Sequence, residues 1–190
     1  MTTIKLTDLA GITGRSRDAI RNMQARGLLP WQDERQQGAY RRFDGTHALA
    51  LIVAEVLQSQ NIPAVEVAEF VICQRHAVGA FLDAADAGAE LPDLFVSAIL
   101  RAVEDPNTVQ WMPVHGIHYG TDEELRDFFA SELAMVGKTS AGKRIIGGPL
   151  VAVASLREAY RILRIRADAA GFAIMGRRIV PASDVNGARK

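Results

Sequence analysis

Leu6-Thr7-Asp8-Leu9-Ala10-Gly11-Ile12-Thr13-Gly14-Arg15-Ser16-Arg17-Asp18-Ala19-Ile20-Arg21-Asn22-Met23-Gln24-Ala25-Arg26-Gly27-Leu28-Leu29-Pro30 decides the reading of this chain. Leu6, Leu9, Ala10 and Ile12 are spaced for one apolar helix face, with Thr7 and Asp8 on the other. Thr13-Gly14 gives a turn in which glycine can take positive φ. Ser16 is a good N-cap, and Asp18 sits favourably in the first turn that follows. That second helix is expected to run to about Arg26, with Gly27 as its left-handed stop. At helical spacing Ala19, Ile20 and Met23 share the inward face, while Arg17 and Arg21, four apart, point outward with Gln24.

Two helices joined by a tight glycine turn, the second with a basic outer face, form what a helix-turn-helix needs to read a DNA major groove. Beyond Leu29-Pro30 the chain turns polar through Asp33-Glu34-Arg35-Gln36-Gln37-Gly38 and ends in Ala39-Tyr40-Arg41-Arg42-Phe43. This stretch reads as a two-stranded wing whose basic tip would sit on a phosphate backbone or in a minor groove. Phe43 is expected to pack the wing against the helices. Asp44 caps a strong helix containing Ala48, Leu49, Leu51, Ile52, Val53, Val56 and Leu57. Asn61 accepts the αL stop, and Pro63-Ala64 opens a further helix through about Gln74.

Together these residues resemble the MerR family of winged helix-turn-helix regulators. The likeness covers roughly residues 4 to 72 and rests on Leu9-Ala10, Thr13-Gly14, Ser16, Ile20-Arg21, Arg26-Gly27-Leu28-Leu29-Pro30, Tyr40-Arg41-Arg42-Phe43 and the Leu51-Ile52 helix. The resemblance implies binding to double-stranded promoter DNA as a homodimer, through recognition helix and wing. Carried over position by position, it makes Ser16, Arg17, Arg21, Tyr40, Arg41 and Arg42 DNA-contact candidates; Arg15 and Gln24, beside them, complete the set. The chain departs from the family where aromatic residues are usual (Asn22 and Met23), where glycine is usual (Ala39) and where a small apolar residue is usual (Arg15). These departures set it apart from the well-known stress-sensor branch.

At 190 residues the chain fits two modest domains. No apolar run reaches the roughly 18 to 20 residues of a membrane span, and no signal peptide is read at the start. The single cysteine, Cys73, excludes an internal disulfide framework and points to a reducing cytoplasm, where a DNA-binding protein is expected to be nucleoid-associated. The formal net charge of zero hides a pattern: residues 1–47 hold 8 Lys/Arg against 5 Asp/Glu, residues 48–136 hold 3 against 14, and residues 137–190 hold 11 against 3. A basic N-terminal domain suits DNA, and an acidic middle should stand away from the duplex. The basic C-terminal region would meet the acidic middle, in the same chain or a partner, or add phosphate contacts.

The expected organisation is a winged helix-turn-helix domain over residues 1–75, a linker or dimerisation helix over 76–91, a C-terminal dimerisation or effector domain over 92–182 and a frayed tail over 183–190. From Ala64 to about Ala87 the chain is helical in character, interrupted at Gly79. Val67, Phe70, Val71, Val78, Phe81 and Leu82 would form a dimer seam, or pack on the chain's own C-terminal half. Gly88 and Pro92 mark the boundary. Asp93 to about Glu104 reads as a helix and Thr108 to Val114 as a strand. Thr121 caps a helix through about Val136, and Gly137–Gly148 reads as a mobile basic loop. Leu150–Ala154 reads as a strand before a helix capped by Ser155, or as the start of one long helix opened by Pro149. Phe172–Val180 reads as a hairpin or strand. The fold class expected is mainly α, with a helical or α+β C-terminal domain.

Three features invite a chemical reading and are set aside. His115, His118 and Asp122 are too loosely spaced for a metal site. Gly137-Lys138-Thr139-Ser140-Ala141-Gly142-Lys143 lacks the order of glycines before a Lys-Ser/Thr pair that a phosphate loop requires. Cys73 reads as a buried helix cysteine rather than a redox switch. No nucleophile, base and acid stand together, so no enzyme, cofactor or metal is expected. The function expected is a sequence-specific DNA-binding transcriptional regulator. The alternatives are an excisionase-like factor that bends DNA for recombination, or an adaptor anchored on DNA that binds another protein through the C-terminal half.

Overall fold

The computed structural model describes residues 3–32, 42–91, 93–104, 109–140, 143–147 and 150–187, with 109–117, 140, 150 and 186–187 described by backbone alone. In chain order these residues form α1 (Leu6–Thr13), α2 (Arg17–Ala25), α3 (Gly45–Gln58), α4 (Ala64–Cys73), α5 (Arg75–Asp86), β1 (Phe95–Glu104), β2 (Val109–Gly120), α6 (Asp122–Leu133), β3 (Thr139–Ser140), β4 (Lys143–Ile145), β5 (Leu150–Ser155), α7 (Leu156–Ala169), β6 (Phe172–Met175), β7 (Arg178–Pro181) and α8 (Ala182–Gly187). The class is mixed: helices dominate, and an antiparallel sheet stands behind them. The segment expected to be the wing, including Tyr40 and Arg41, lies outside the described residues.

Local chemistry sets most element ends. Ser16, Thr121 and Ser155 each accept the backbone N–H three residues on, and Asp44 accepts those of Thr46 and His47. Asn61 takes the left-handed conformation at φ 66° between α3 and α4. The long strand β1 is the axis of the sheet. It pairs antiparallel with β2 along one side and with β5, then β4, along the other, and β3 completes the order beyond β4. The outer edge of β5 is blunted in an economical way. The side-chain amide of Gln60 donates to the Val153 carbonyl at 2.7 Å and accepts the Val153 N–H at 2.9 Å, so it stands in for one residue of a neighbouring strand.

The sheet divides the molecule. Val96, Ala98 and Leu100 of β1, with Ala152 and Ala154 of β5, join α3, α4, α5 and α7 in one core cluster that runs from Ile4 to Ile179. From the other face of β1, Arg101 reaches α6, where its guanidinium pairs with the buried carboxylate of Glu132. Helix α7 packs on both α1 and α3, so buried side chains from both sides of Gly88 share the same core.

Several expectations need correcting. Asp93–Glu104 is strand from Phe95 onward, not helix, because β1 is buried on both faces and carries no alternating pattern to announce itself. The basic loop over Gly137–Gly148 contains the β3–β4 hairpin. The helical run from Ala64 breaks at Gln74 and passes through Gly79 unbroken. There the Arg177 guanidinium fills the space a Cβ would need. Val67, Phe70, Val71, Val78, Phe81 and Leu82 are all buried in the chain's own core, which removes them as a dimer seam. Cys73 is exposed, lying off the face that carries Val67, Phe70 and Val71. Residues 183–187 of the expected tail lie in helix α8.

Candidate nucleic-acid interface

The turn between α1 and α2 is tightly specified. Gly14 sits at φ 70°, its N–H reaches the Gly11 carbonyl at 3.3 Å and the Arg15 N–H reaches that of Ala10 at 3.1 Å, the paired bonds of a Schellman stop. The same device ends α2, with Gly27 at φ 68°, Gly27 N–H on the Gln24 carbonyl and Leu28 N–H on that of Met23. The hydroxyl of the buried Thr13 bonds back to the Leu9 carbonyl at 2.8 Å. A third brace comes from the far end of the chain. Arg166 of α7 donates to the Thr13 carbonyl at 2.8 Å and forms a two-pronged pair with Glu55 of α3, both bonds 3.0 Å. α1 has no basic residue in its own last turn, so Arg166 supplies the cation that its carbonyl end favours.

Helix α2, thus fixed at both ends, buries only Ile20 completely, with Ala19, Met23 and Gln24 partly covered. Arg17 and Arg21 are exposed, as their spacing predicts, and Arg26 adds a third exposed guanidinium just past the helix end. Arg21 leans on Asp18 at 3.5 Å with both groups largely in solvent, a contact too weak to hold it there. Among the described residues Arg17 and Arg26 form no ion pair. Ser16 uses its oxygen as acceptor for the cap and keeps its hydroxyl proton available. Gln24 is half-buried and partnered rather than projecting freely. Arg15 is half-buried behind the arginine face, with Nη1 on the Met23 sulfur at 3.5 Å.

Both ends of the segment between residues 32 and 42 are tied to the head. Ile4 and Phe43 exchange backbone hydrogen bonds of 2.8 and 3.0 Å across an antiparallel bridge. Trp31, Phe43 and His47 meet edge to face, with ring centroids 5.0 to 6.0 Å apart. His47 Nδ1 lies 2.7 Å from Asp44 Oδ1. Burial opposes ionisation of Asp44, but the hydrogen bond and charge of His47, with the N–H groups of His47 and Thr46, outweigh it and hold its carboxyl below the ordinary range. Phe43 is therefore core, as expected, and Arg42 beside it is exposed, with Nη1 3.4 Å from Thr3 Oγ1. Sequence reasoning passed over Trp31, His47 and Arg166. Trp31 stood out only as a large apolar residue in a polar stretch, and nothing along the chain linked Arg166 to a turn 153 residues away.

The features set aside on sequence are positioned as follows. The His118 ring stacks on Phe128 at 5.3 Å, while the side chain of His115 lies outside the described residues. The stretch resembling a phosphate loop is a hairpin, Thr139 opposite Arg144 and Ser140 opposite Lys143, with Ala141-Gly142 outside the described residues. Among the described residues no three His, Cys, Asp or Glu side chains come together as a metal site would require, and no helix is long and apolar enough to cross a membrane. Compared with protein-family models and with curated proteins, the chain matches none.

Proposed function

We propose that this chain is a sequence-specific DNA-binding transcriptional regulator, with a winged helix-turn-helix of MerR type at its N-terminus and α2 as the recognition helix. The observation that carries the reading is the mismatch between how firmly α2 is held and how little of it is used for packing. A nine-residue helix with two specified ends, entered from a turn that α7 braces at Thr13, buries a single side chain fully and presents Arg17, Arg21 and Arg26 to solvent. Arginines so placed would donate to phosphates for affinity and to guanine edges for specificity. Tyr40, Arg41 and Arg42 are assigned to the wing on the family resemblance.

Two copies would act together, because one such module buries only roughly 600–1,000 Å² on DNA and a two-fold pair doubles it. The dimer surface cannot be Val67 to Leu82, which the core occupies. Light scattering should give a mass near twice 20.6 kDa. Sequencing DNA co-purified with the protein, followed by footprinting, tests the function. One protected palindrome in a promoter is expected. An array beside a recombination site would replace this reading with a DNA-bending factor, and no defined site would replace it with an adaptor.

A further inference from the structure

The Ile4–Phe43 bridge sets two cations on one face. Ile4 and Phe43 are a hydrogen-bonded antiparallel pair, and both side chains are buried. Their neighbours therefore point the other way, and antiparallel geometry carried one residue beyond the pair sets Lys5 across from Arg42. Both are exposed, and Thr3, on the same face, takes a hydrogen bond from Arg42 Nη1 at 3.4 Å. Like charges directly opposite one another on paired strands repel. Among the described residues neither forms an ion pair with a carboxylate. The nearby Asp8 is engaged instead, accepting the Lys5 backbone N–H at 3.1 Å, and Asp44 is turned inward toward His47.

We infer that Lys5, Arg42 and the Thr3 hydroxyl form a second phosphate-binding point, on the opposite end of α1 from the recognition helix. The inference rests on the DNA-binding reading above and adds a residue, Lys5, that neither helix nor wing supplies. Its spacing fits a duplex. Helix α1 has eight residues, hence a length of about 12 Å, and it separates this pair from Ser16 and the start of α2. A major groove is about 12 Å wide. With α2 in the groove, the cation pair stands over the phosphate backbone at the groove's edge. A bound phosphate relieves the repulsion between the two cations, so occupancy of the pair is coupled to DNA and not to a protein carboxylate.

The test is the salt dependence of binding to the site recovered with the protein and to an unrelated duplex. Lys5→Ala and Arg42→Ala should each lower the slope of log K against log salt by about one, and the double variant by about two, with Lys5→Arg restoring the slope. The ratio of specific to unrelated affinity should stay within about twofold, because phosphate contacts carry no sequence information. Thermal unfolding followed through the buried Trp31 verifies that each variant is folded. A wild-type chain that binds DNA while a folded Lys5→Ala variant keeps its slope overturns the inference and leaves the function standing. A wild-type chain that binds neither duplex at low salt overturns both.

Discussion

Arg166 does for the α1–α2 turn what no residue near that turn in sequence does. It neutralises Glu55, caps the carbonyl end of α1 and packs over Gly14, where a side chain would meet its guanidinium at 3.6 Å. Arg166→Ala should lower stability by about 1 to 2 kcal/mol in urea unfolding, the low end for charged hydrogen bonds because both partners are partly exposed. Arg166→Lys should recover little of it, since an ammonium cannot match the two-pronged carboxylate and reach Thr13 as well. The Arg166 hydrogen bonds are also the main reason the Glu55 carboxyl sits below its ordinary value, against an opposing contribution from burial, with the charges of Arg166 and Arg15 helping. A lowered folded value means that the stabilisation is complete above the unfolded carboxylate range and is lost as pH falls through the folded value. Unfolding midpoints should therefore drop below about pH 4, and Glu55→Gln should be weaker at neutral pH yet fall less on acidification. A Glu55→Gln midpoint that tracked wild type at every pH would remove the pair from the stability of the head. On the outer face, Arg21→Ala should cost about 1–3 kcal/mol in specific DNA binding with unfolding unchanged; unaltered affinity in a folded variant would take α2 out of the groove.

Glycines at the joints between elements carry information that their neighbours in sequence do not disclose. The tip of the β6–β7 hairpin lies in a notch made of Gly45 at the start of α3 and Gly79 within α5. The Gly45 N–H donates to the Arg177 carbonyl at 2.8 Å, and a Cβ on Gly45 would sit 2.7 Å from the Gly176 carbonyl oxygen. Arg177 then closes the joint on Asp83 with bonds of 2.7 and 2.6 Å. Because the blocking atoms are backbone, Gly45→Ala should force the hairpin away and destabilise by about 1–3 kcal/mol, while Gly27→Ala meets no atom within 4 Å and suffers only the strain of its positive φ. Equal losses from the two would mean that the notch contributes nothing beyond backbone conformation. The contrast also marks what could be read from the chain in advance. Ser16, Gly14, Gly27, Asp44, Asn61 and Thr121 act within a few residues of themselves, so the ends they set were legible. β1 was not, since Phe95–Val103 is apolar but for Ser97 and Arg101, and Arg101 is neutralised by a residue 31 positions away. Gly79 reads as a helix breaker until Arg177 is placed beside it. Likewise Arg17 and Arg21 were legible as an outward pair, whereas Arg15 joined them on sequence proximity and instead lies partly buried against Met23.

At the scale of the whole molecule the basic, acidic, basic order of the charges has a physical answer within one chain. Arg157 pairs with Asp93, Arg166 with Glu55, Arg177 with Asp83 and Arg178 with Asp86, so four of the C-terminal cations answer carboxylates of the acidic middle. Among the described residues the cations of α2, by contrast, have no ion pair stronger than the loose Arg21–Asp18 contact. Arg17, Arg21 and Arg26 thus keep their positive charge available to a polyanion. Packing also ties the head to the rest. Ala159, Tyr160, Leu163 and Ala167 of α7 are buried in the same core as Leu9, Ile12, Leu49 and Leu51, and α7 packs directly on α1 and α3. Residues 1–90 contain every candidate DNA contact, but without α7 and the sheet they would expose that shared apolar face and leave Glu55 and the Thr13 carbonyl without Arg166. The fragment should accordingly show no cooperative thermal transition and bind DNA without specificity, and adding back residues 91–190 in trans should restore both. A fragment that unfolds cooperatively by itself and binds the recovered site as the full chain does would show that the helical head owns a sufficient core, and that α7 is a lid upon it rather than a part of it.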